Sequence, residues 1–222
     1  MSTFFTQVAM ILWKDIRCEL RSKQTWIGMA LFALIVLVIF NFAFDLRVED
    51  KAAVAPGALW VAFIFASILG LSRTVAAERE YGSMDRLLLC PVERPAIYLA
   101  KLLGNLLFIG AVEVIAIPVF VALFDVRLLV GALLPIILFG TLGIAIIGTL
   151  FSVIAAATQA RELLLPVLVF PLVVPVVIAA VRATGALLAP SPNEPPWLAL
   201  MIAFDIIFLT LSLLLFRYVV EE

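Results

Sequence analysis

The chain has 222 residues, 65% of them hydrophobic and 14% charged, with a formal net charge of −1 and a mean hydropathy of +1.23. Soluble domains are about 45–50% apolar and about 25% charged, so this chain has too little polar surface to face water, and its composition is that of an integral membrane protein. It contains no histidine, which excludes imidazole acid–base chemistry and histidine ligation of metal or haem, and no Walker-type phosphate loop.

The first 24 residues carry several charges and are followed by an apolar run without a cleavage pattern, so they are not read as a signal peptide. Phe5, Val8, Leu12, Ile16 and Leu20 recur at helical spacing, and Lys14, Arg17 and Arg21 repeat on another face. This predicts an amphipathic helix lying in the membrane interface. An ordinary juxtamembrane helix has nearly the same pattern.

A spanning helix needs about 20 mainly apolar residues. Six stretches qualify: Thr25–Phe44, Pro56–Leu71 with a helical extension toward Arg73, Leu102–Phe124, Leu128–Ala156, Leu163–Val181 and Trp197–Phe216. The fourth is long enough to tilt or kink. An even number of spans leaves both termini on one side. Lys14, Arg17, Arg21, Lys23, Arg73, Arg79, Arg86, Arg94, Lys101, Arg161 and Arg217 fall on that side, and only Arg47, Lys51, Arg127 and Arg182 on the other. The excess of basic residues marks the first side as cytoplasmic, giving an N-in, C-in topology. Cys18 and Cys90 both fall in the reducing compartment, so no disulfide is expected between them, and two cysteines alone make no metal site.

Between the second and third spans lies the most charged stretch, AEREYGSMDRLLLCPVERP, residues 77–95. Gly82 suits a helix C-cap, Ser83 an N-cap, Pro91 a stop and Pro95 the first turn of the next helix. Between the breaks, Met84, Leu87 and Leu88 share a helical face, while Asp85 and Arg86 point elsewhere. A short amphipathic helix on the cytoplasmic side fits a groove in a partner protein, with its charged flanks fixing register. A solvated loop is the alternative. Glu78, Glu80 and Asp85 have no accompanying nucleophile–base pattern, so a catalytic role is not expected.

Two acids fall inside spans, Glu113 and Asp205. An Asp at mid-helix costs about 2.5–3.5 kcal/mol to insert. Both acids are therefore expected to face protein or water, serving either a function or a structural hydrogen bond. Pro166, Pro171 and Pro175 interrupt the donor ladder of the fifth span, for gating or as a fixed bend. Gly140, Gly143, Gly148 and Ala145 let neighbours approach the fourth span closely.

The element EREYGSMDRLLLCPV resembles the cytoplasmic segment of type-2 ABC exporter permeases, in which E-R-E-x-G precedes a coupling helix. GALWVAFIFASILGLSRTVAAERE, TQARELLLPVLVFPLVVPVVIAAVRAT and the ending FDIIFLTLSLLLFRYVVEE resemble the haem exporter protein B family of cytochrome c maturation. The resemblance runs from Trp13–Lys23 to Glu221–Glu222. It implies an all-α membrane protein: one permease domain, residues 1–222, with an interfacial helix (1–24), six transmembrane helices, a cytoplasmic coupling segment (73–101) and a periplasmic re-entrant or loop segment (182–196).

The resemblance further implies that Thr184–Ala189 dip back into the membrane and that Pro190, Pro192, Pro195 and Pro196 make a rigid return. It assigns the ATPase-coupling role to Glu78, Arg79, Glu80, Gly82, Met84, Asp85, Leu87 and Leu88. The chain would not be an enzyme itself and would bind no cofactor of its own. ATP would be bound by a separate ATPase subunit present in two copies. The other expected partners are a second copy of this chain, a haem-handling membrane subunit, a small membrane tether and a periplasmic haem chaperone. The setting is the bacterial inner membrane, with haem as a candidate substrate and no nucleic acid. A polysaccharide, lipid or drug permease and a non-transporting, force-transmitting scaffold remain alternatives. The spans carry few polar residues to line a sugar path.

Overall fold

With no water in the bilayer core, a chain must satisfy its backbone polar groups internally, and helices do so within one segment. The computed structural model describes residues 2–22, 24–45, 51–80, 87, 89–126, 130–156, 161–188 and 195–219, and among them every regular element is a helix. These are α1 (Ser2–Ser22), α2 (Gln24–Asp45), α3 (Lys51–Glu80), α4 (Arg94–Phe124), α5 (Val130–Ala156), α6 (Arg161–Leu188) and α7 (Trp197–Val219). Helices α2 to α7 each contain a stretch long and apolar enough to cross a membrane. The protein is an all-α membrane protein with six such helices preceded by an amphipathic one.

The spans lie where hydropathy puts them, but three helices outrun them. Helix α3 is continuous from Lys51 to Glu80, through Pro56. As the sixth residue of the helix, Pro56 removes the bond to the Ala52 carbonyl, one turn in, yet the helix continues through it. Helix α4 begins at Arg94, ahead of the apolar run from Leu102, with Glu93 as its N-cap and Pro95 in its first turn as expected. It ends at Asp125, whose φ of 49° and ψ of 39° are left-handed, a conformation that Asp tolerates better than most side chains. Helix α6 runs unbroken to Leu188 through all three of its prolines. Thr184–Leu188 are thus its last turns, continuous with the span, rather than a separate segment beyond Val181. Nothing in VRATGALL breaks a helix, and the Thr184 hydroxyl donates back to the Ala180 carbonyl at 2.7 Å. Residues 189–194, with Ala189, Pro190 and Pro192, lie outside the described residues.

Helix α5 is the centre of the bundle. It packs most extensively on α6 and also touches α3, α4 and α7. Its glycines make room for large neighbours: a Cβ on Gly140 would overlap the Trp60 indole, and one on Gly148 the Leu71 side chain. Few polar groups are buried here, and several are bonded across helices. Trp60 Nε1 donates to Thr184 Oγ1 at 3.0 Å, joining α3 to α6. Tyr98 donates to the Ile146 carbonyl at 3.0 Å and Asn105 to Thr149 Oγ1 at 2.9 Å, joining α4 to α5.

Helix α1 packs on α4. The Glu93 N–H donates to Gln7 Oε1 at 3.3 Å, and Lys101 Nζ lies 3.0 Å from Asp15 Oδ2. The two contacts are eight residues apart on both helices, so the helices run side by side in the same direction for about 12 Å. The expected apolar face is split between two environments. Of its residues Val8 is buried whereas Phe5 and Leu20 are exposed; outside that face, Ile11 is buried and Trp13 exposed. The exposed group lies beside the basic stripe, as suits a helix that meets protein, lipid and water on three sides.

The Lys101 side chain is only 10% exposed, against 19% for Asp15, so this pair is worth more than a surface ion pair and less than a fully desolvated one. Asp15→Ala is expected to loosen α1 by about 1–2 kcal/mol. Faster amide hydrogen exchange along α1, with α5 unchanged, would register it; equal exchange in both proteins would refute the clamp.

Candidate functional site

The first region of interest is the arm between α3 and α4. Beyond its apolar span, which ends at Thr74, α3 continues to Glu80, a further 9 Å or so. Glu78, Arg79 and Glu80 belong to this extension. Gly82, Met84, Asp85 and Leu88 lie outside the described residues. Leu87 is half-buried against the chain's own core. The Cys90 N–H donates to the Leu87 carbonyl at 3.2 Å and the Val92 N–H to the Cys90 carbonyl at 2.8 Å, so this end of the arm is a tight turn. Leu89 is 87% exposed, the most exposed large apolar side chain described. Helical spacing from Met84 selects Leu87 and Leu88 and passes over Leu89. The turn at 87–90 is what turns it outward. Cys18 and Cys90 are both free and exposed.

The second region is the centre of the bilayer-spanning body. Glu113 on α4 is 3% exposed and accepts a hydrogen bond from the Thr141 hydroxyl of α5. Asp205 on α7 is 4% exposed, and neither of its carboxyl oxygens has a hydrogen-bond partner among the described residues. A Cβ on Gly143 of α5 would lie 2.8 Å from Asp205 Oδ1 and 3.0 Å from Val176 of α6. Thr141 and Gly143 are two residues apart, which on a helix means faces about 200° apart and a rise of about 3 Å. The two acids therefore flank α5 on different sides at nearly one depth. That depth is central, because the apolar span of α5 is Gly131–Ala155 and that of α7 is Trp197–Phe216. Sequence named both acids; the structure keeps them apart, each with its own surroundings.

Glu113 also borders a cavity of about 870 Å³ between α4 and α5. Apart from Glu113 and Thr141 its lining is apolar: Leu106, Leu107, Gly110, Ala111, Val114, Ile117, Pro118 and Val121 from α4, and Leu133, Leu134, Ile137 and Leu138 from α5. The cavity opens on the outside of the chain, since Val114, Leu134 and Leu107 are all more than half exposed. No signal in the sequence pairs Glu113 with Thr141 or marks the groove, because both depend on how α4 and α5 are set against each other. Among the described residues no three acidic or cysteine side chains cluster as metal ligands.

The arm with its proline-started return and the apolar body with two central acids lie within one continuous stretch of sequence. The profile of the family described as CcmB protein matches residues 6–221. Curated proteins named Heme exporter protein B align over most of both chains. That of Rhodobacter capsulatus is 31% identical over 76% of this chain and 78% of its own. That of Bradyrhizobium diazoefficiens is 30% identical over 82% and 83%, and that of Pseudomonas aeruginosa 29% identical over 88% and 89%. A match spanning both the arm and the body shows that the chain belongs to the CcmB protein family.

Proposed function

We propose that this chain is the membrane permease subunit of an ABC complex for c-type cytochrome biogenesis, acting in haem export across the bacterial inner membrane. The observation that carries the reading is the family match over residues 6–221, together with relatives named as haem exporters over most of their length. ATP is hydrolysed by a separate ATPase subunit in two copies, which a dimer of this chain engages on the cytoplasmic side. The complex also includes a haem-handling membrane subunit and a small tether, and it serves a periplasmic haem chaperone. The stroke either exports haem or releases the loaded chaperone. The N-in, C-in topology follows from the distribution of Lys and Arg.

Coupling runs through the 73–101 segment. Met84 and Leu88 occupy a groove of the ATPase, joined by the exposed Leu89, and Leu87 anchors the contact on this chain's own core, while Glu78, Arg79 and Glu80 fix the contact by ion pairs. Movement of the arm reaches the body through α3 and α4, and reaches α1 through the Gln7 and Asp15 contacts.

The test is co-purification of the ATPase with the chain carrying Leu88→Asp and Leu89→Asp. A buried carboxylate in an apolar contact costs several kcal/mol, so recovery of the ATPase is expected to fall more than tenfold while the chain stays in the membrane at its normal level. Normal recovery would refute the arm as the docking element. Equal c-type cytochrome yield in cells with and without the gene would refute the functional assignment itself.

A further inference from the structure

We propose that the outward side of α1 docks the headgroup of an anionic phospholipid, its phosphate held between Lys14 and Arg17 with Trp13 beside it. Depth comes first. Asp15 is tied to Lys101 at 3.0 Å, and Lys101 is the last charge before the apolar run that opens at Leu102. Asp15 therefore lies at the edge of the hydrocarbon. Thr25, where the apolar span of α2 begins, lies at that edge too. The two are ten residues apart, about 15 Å at helical rise, whereas a headgroup layer is only about 5–8 Å thick. This half of α1 therefore runs along the headgroup layer and not across it.

The side turned away from the protein carries the recognition chemistry. Trp13 and Arg17 each stand two residues from Asp15, about 160° round the helix from its contact with α4. Both are exposed, and so is Lys14. The Arg17 guanidinium lies 5.4 Å from the Trp13 ring centroid. That contact holds it on the outward side, with its N–H donors available to phosphate oxygens. Among the described residues no carboxylate pairs with Arg17, and Lys14 pairs with Asp15, which already holds Lys101. The other acid of α1, Glu19, turns inward to a small cavity shared with α2, α3 and α4. Two cations with no acid on their own side favour a net negative headgroup over a zwitterionic one, whose ammonium group meets them as a like charge. Trp13 has the apolar body and polar edge of an interfacial side chain. Leu20, two turns further on the same side, is exposed for acyl contact. Nothing in this site depends on what the complex transports.

The test places the full chain in phosphatidylcholine nanodiscs and titrates in lipid brominated near the headgroup, either phosphatidylglycerol or phosphatidylcholine. Bromine quenches indole fluorescence on contact, and the difference between wild type and Trp13→Phe isolates the Trp13 signal. Half-quenching is expected at a mole fraction about threefold lower for phosphatidylglycerol than for phosphatidylcholine. Salt at about 0.5 M, where the Debye length is about 4 Å, should shrink that preference. Lys14→Gln with Arg17→Gln should abolish it, and each substitution alone should remove part. Arg17→Lys keeps the charge and should keep most of it. Both side chains are exposed, so the unfolding temperature of the double variant should match that of the wild type. Failure of either lipid to quench Trp13, equal quenching by both, or a preference that survives the double substitution would overturn the proposal. Shielding of Trp13 from both lipids in the assembled complex would assign the face to a protein partner and overturn it as well.

Discussion

Trp60→Ala is expected to destabilise the chain by about 3 kcal/mol, the largest loss from any single truncation in the body. Removing a buried Trp from a soluble core costs about 3–5 kcal/mol, combining lost transfer from water with the cavity left behind. In a bilayer the transfer part shrinks, because lipid is as apolar as the core, so the lower end applies. Trp60 is fully buried at the meeting of α3, α5 and α6, its ring filling the space that Gly140 leaves open. Its Nε1 is also the donor to Thr184. Two companions divide the effect. Thr184→Val keeps the packing and strands the indole N–H, at about 1–3 kcal/mol. Gly140→Ala overpacks the ring from the other side, at about 1–3 kcal/mol. Thermal unfolding of the purified chain in detergent should rank Trp60→Ala below both. If Trp60→Ala unfolds with the wild type, the three-helix junction does not hold the body together.

What the sequence revealed and what it hid follow from one distinction. Hydropathy reports where lipid begins and ends, whereas helix hydrogen bonding continues wherever no residue stops it. Span one, Thr25–Phe44, agreed at both ends because Lys23 and Asp45 bound it closely. The cytoplasmic ends of α3 and α4 were legible from the breakers and not from hydropathy: Gly82 as a C-cap and Pro95 as a first-turn residue predict helices longer than their apolar spans, and α3 runs to Glu80 and α4 from Arg94. The end of α6 was placed too early because Arg182, exposed on the helix, reads as a terminus in composition although nothing there breaks the backbone. On α1 the periodic residues were right, but the pattern could not say which of them meet α4 and which meet lipid, since both prefer apolar side chains. The acids were conspicuous in a chain this apolar, whereas their contacts were not. Thr141 and Gly143 become meaningful only through the register of α5 against α4 and α7, which no local pattern encodes.

That register leads to the second large effect, at Asp205. Leucine has the same branching as aspartate but is bulkier, with two methyls where the carboxyl has oxygens, so Asp205→Leu keeps the shape and adds volume beside Gly143 and Val176. It removes two buried oxygens that have no donor among the described residues. A buried polar group without a partner costs about 1–3 kcal/mol in folded proteins. Asp205→Leu is therefore expected to stabilise the chain by about 1 kcal/mol, the lower end of that range because the added methyls crowd Gly143, read as a rise in unfolding temperature in detergent. Asp205→Asn, which leaves the polar ends unpaired, should leave stability nearly unchanged. A side chain that weakens the resting fold and sits at mid-bilayer has the signature of a functional acid. On the proposed function, c-type cytochrome maturation should fall at least tenfold in Asp205→Leu despite the more stable body. Asp205→Asn then separates charge from hydrogen bonding: retained maturation assigns the role to hydrogen bonding, and its loss assigns it to the ionisable carboxyl. A loss of stability in both Asp205→Leu and the isosteric Asp205→Asn would mean that the carboxyl has a donor and acts as a structural tie between α7 and its neighbours, whereas a loss in Asp205→Leu alone would report crowding at Gly143. A more stable variant with full maturation would strip Asp205 of a function and leave Glu113 as the one central acid still to be explained.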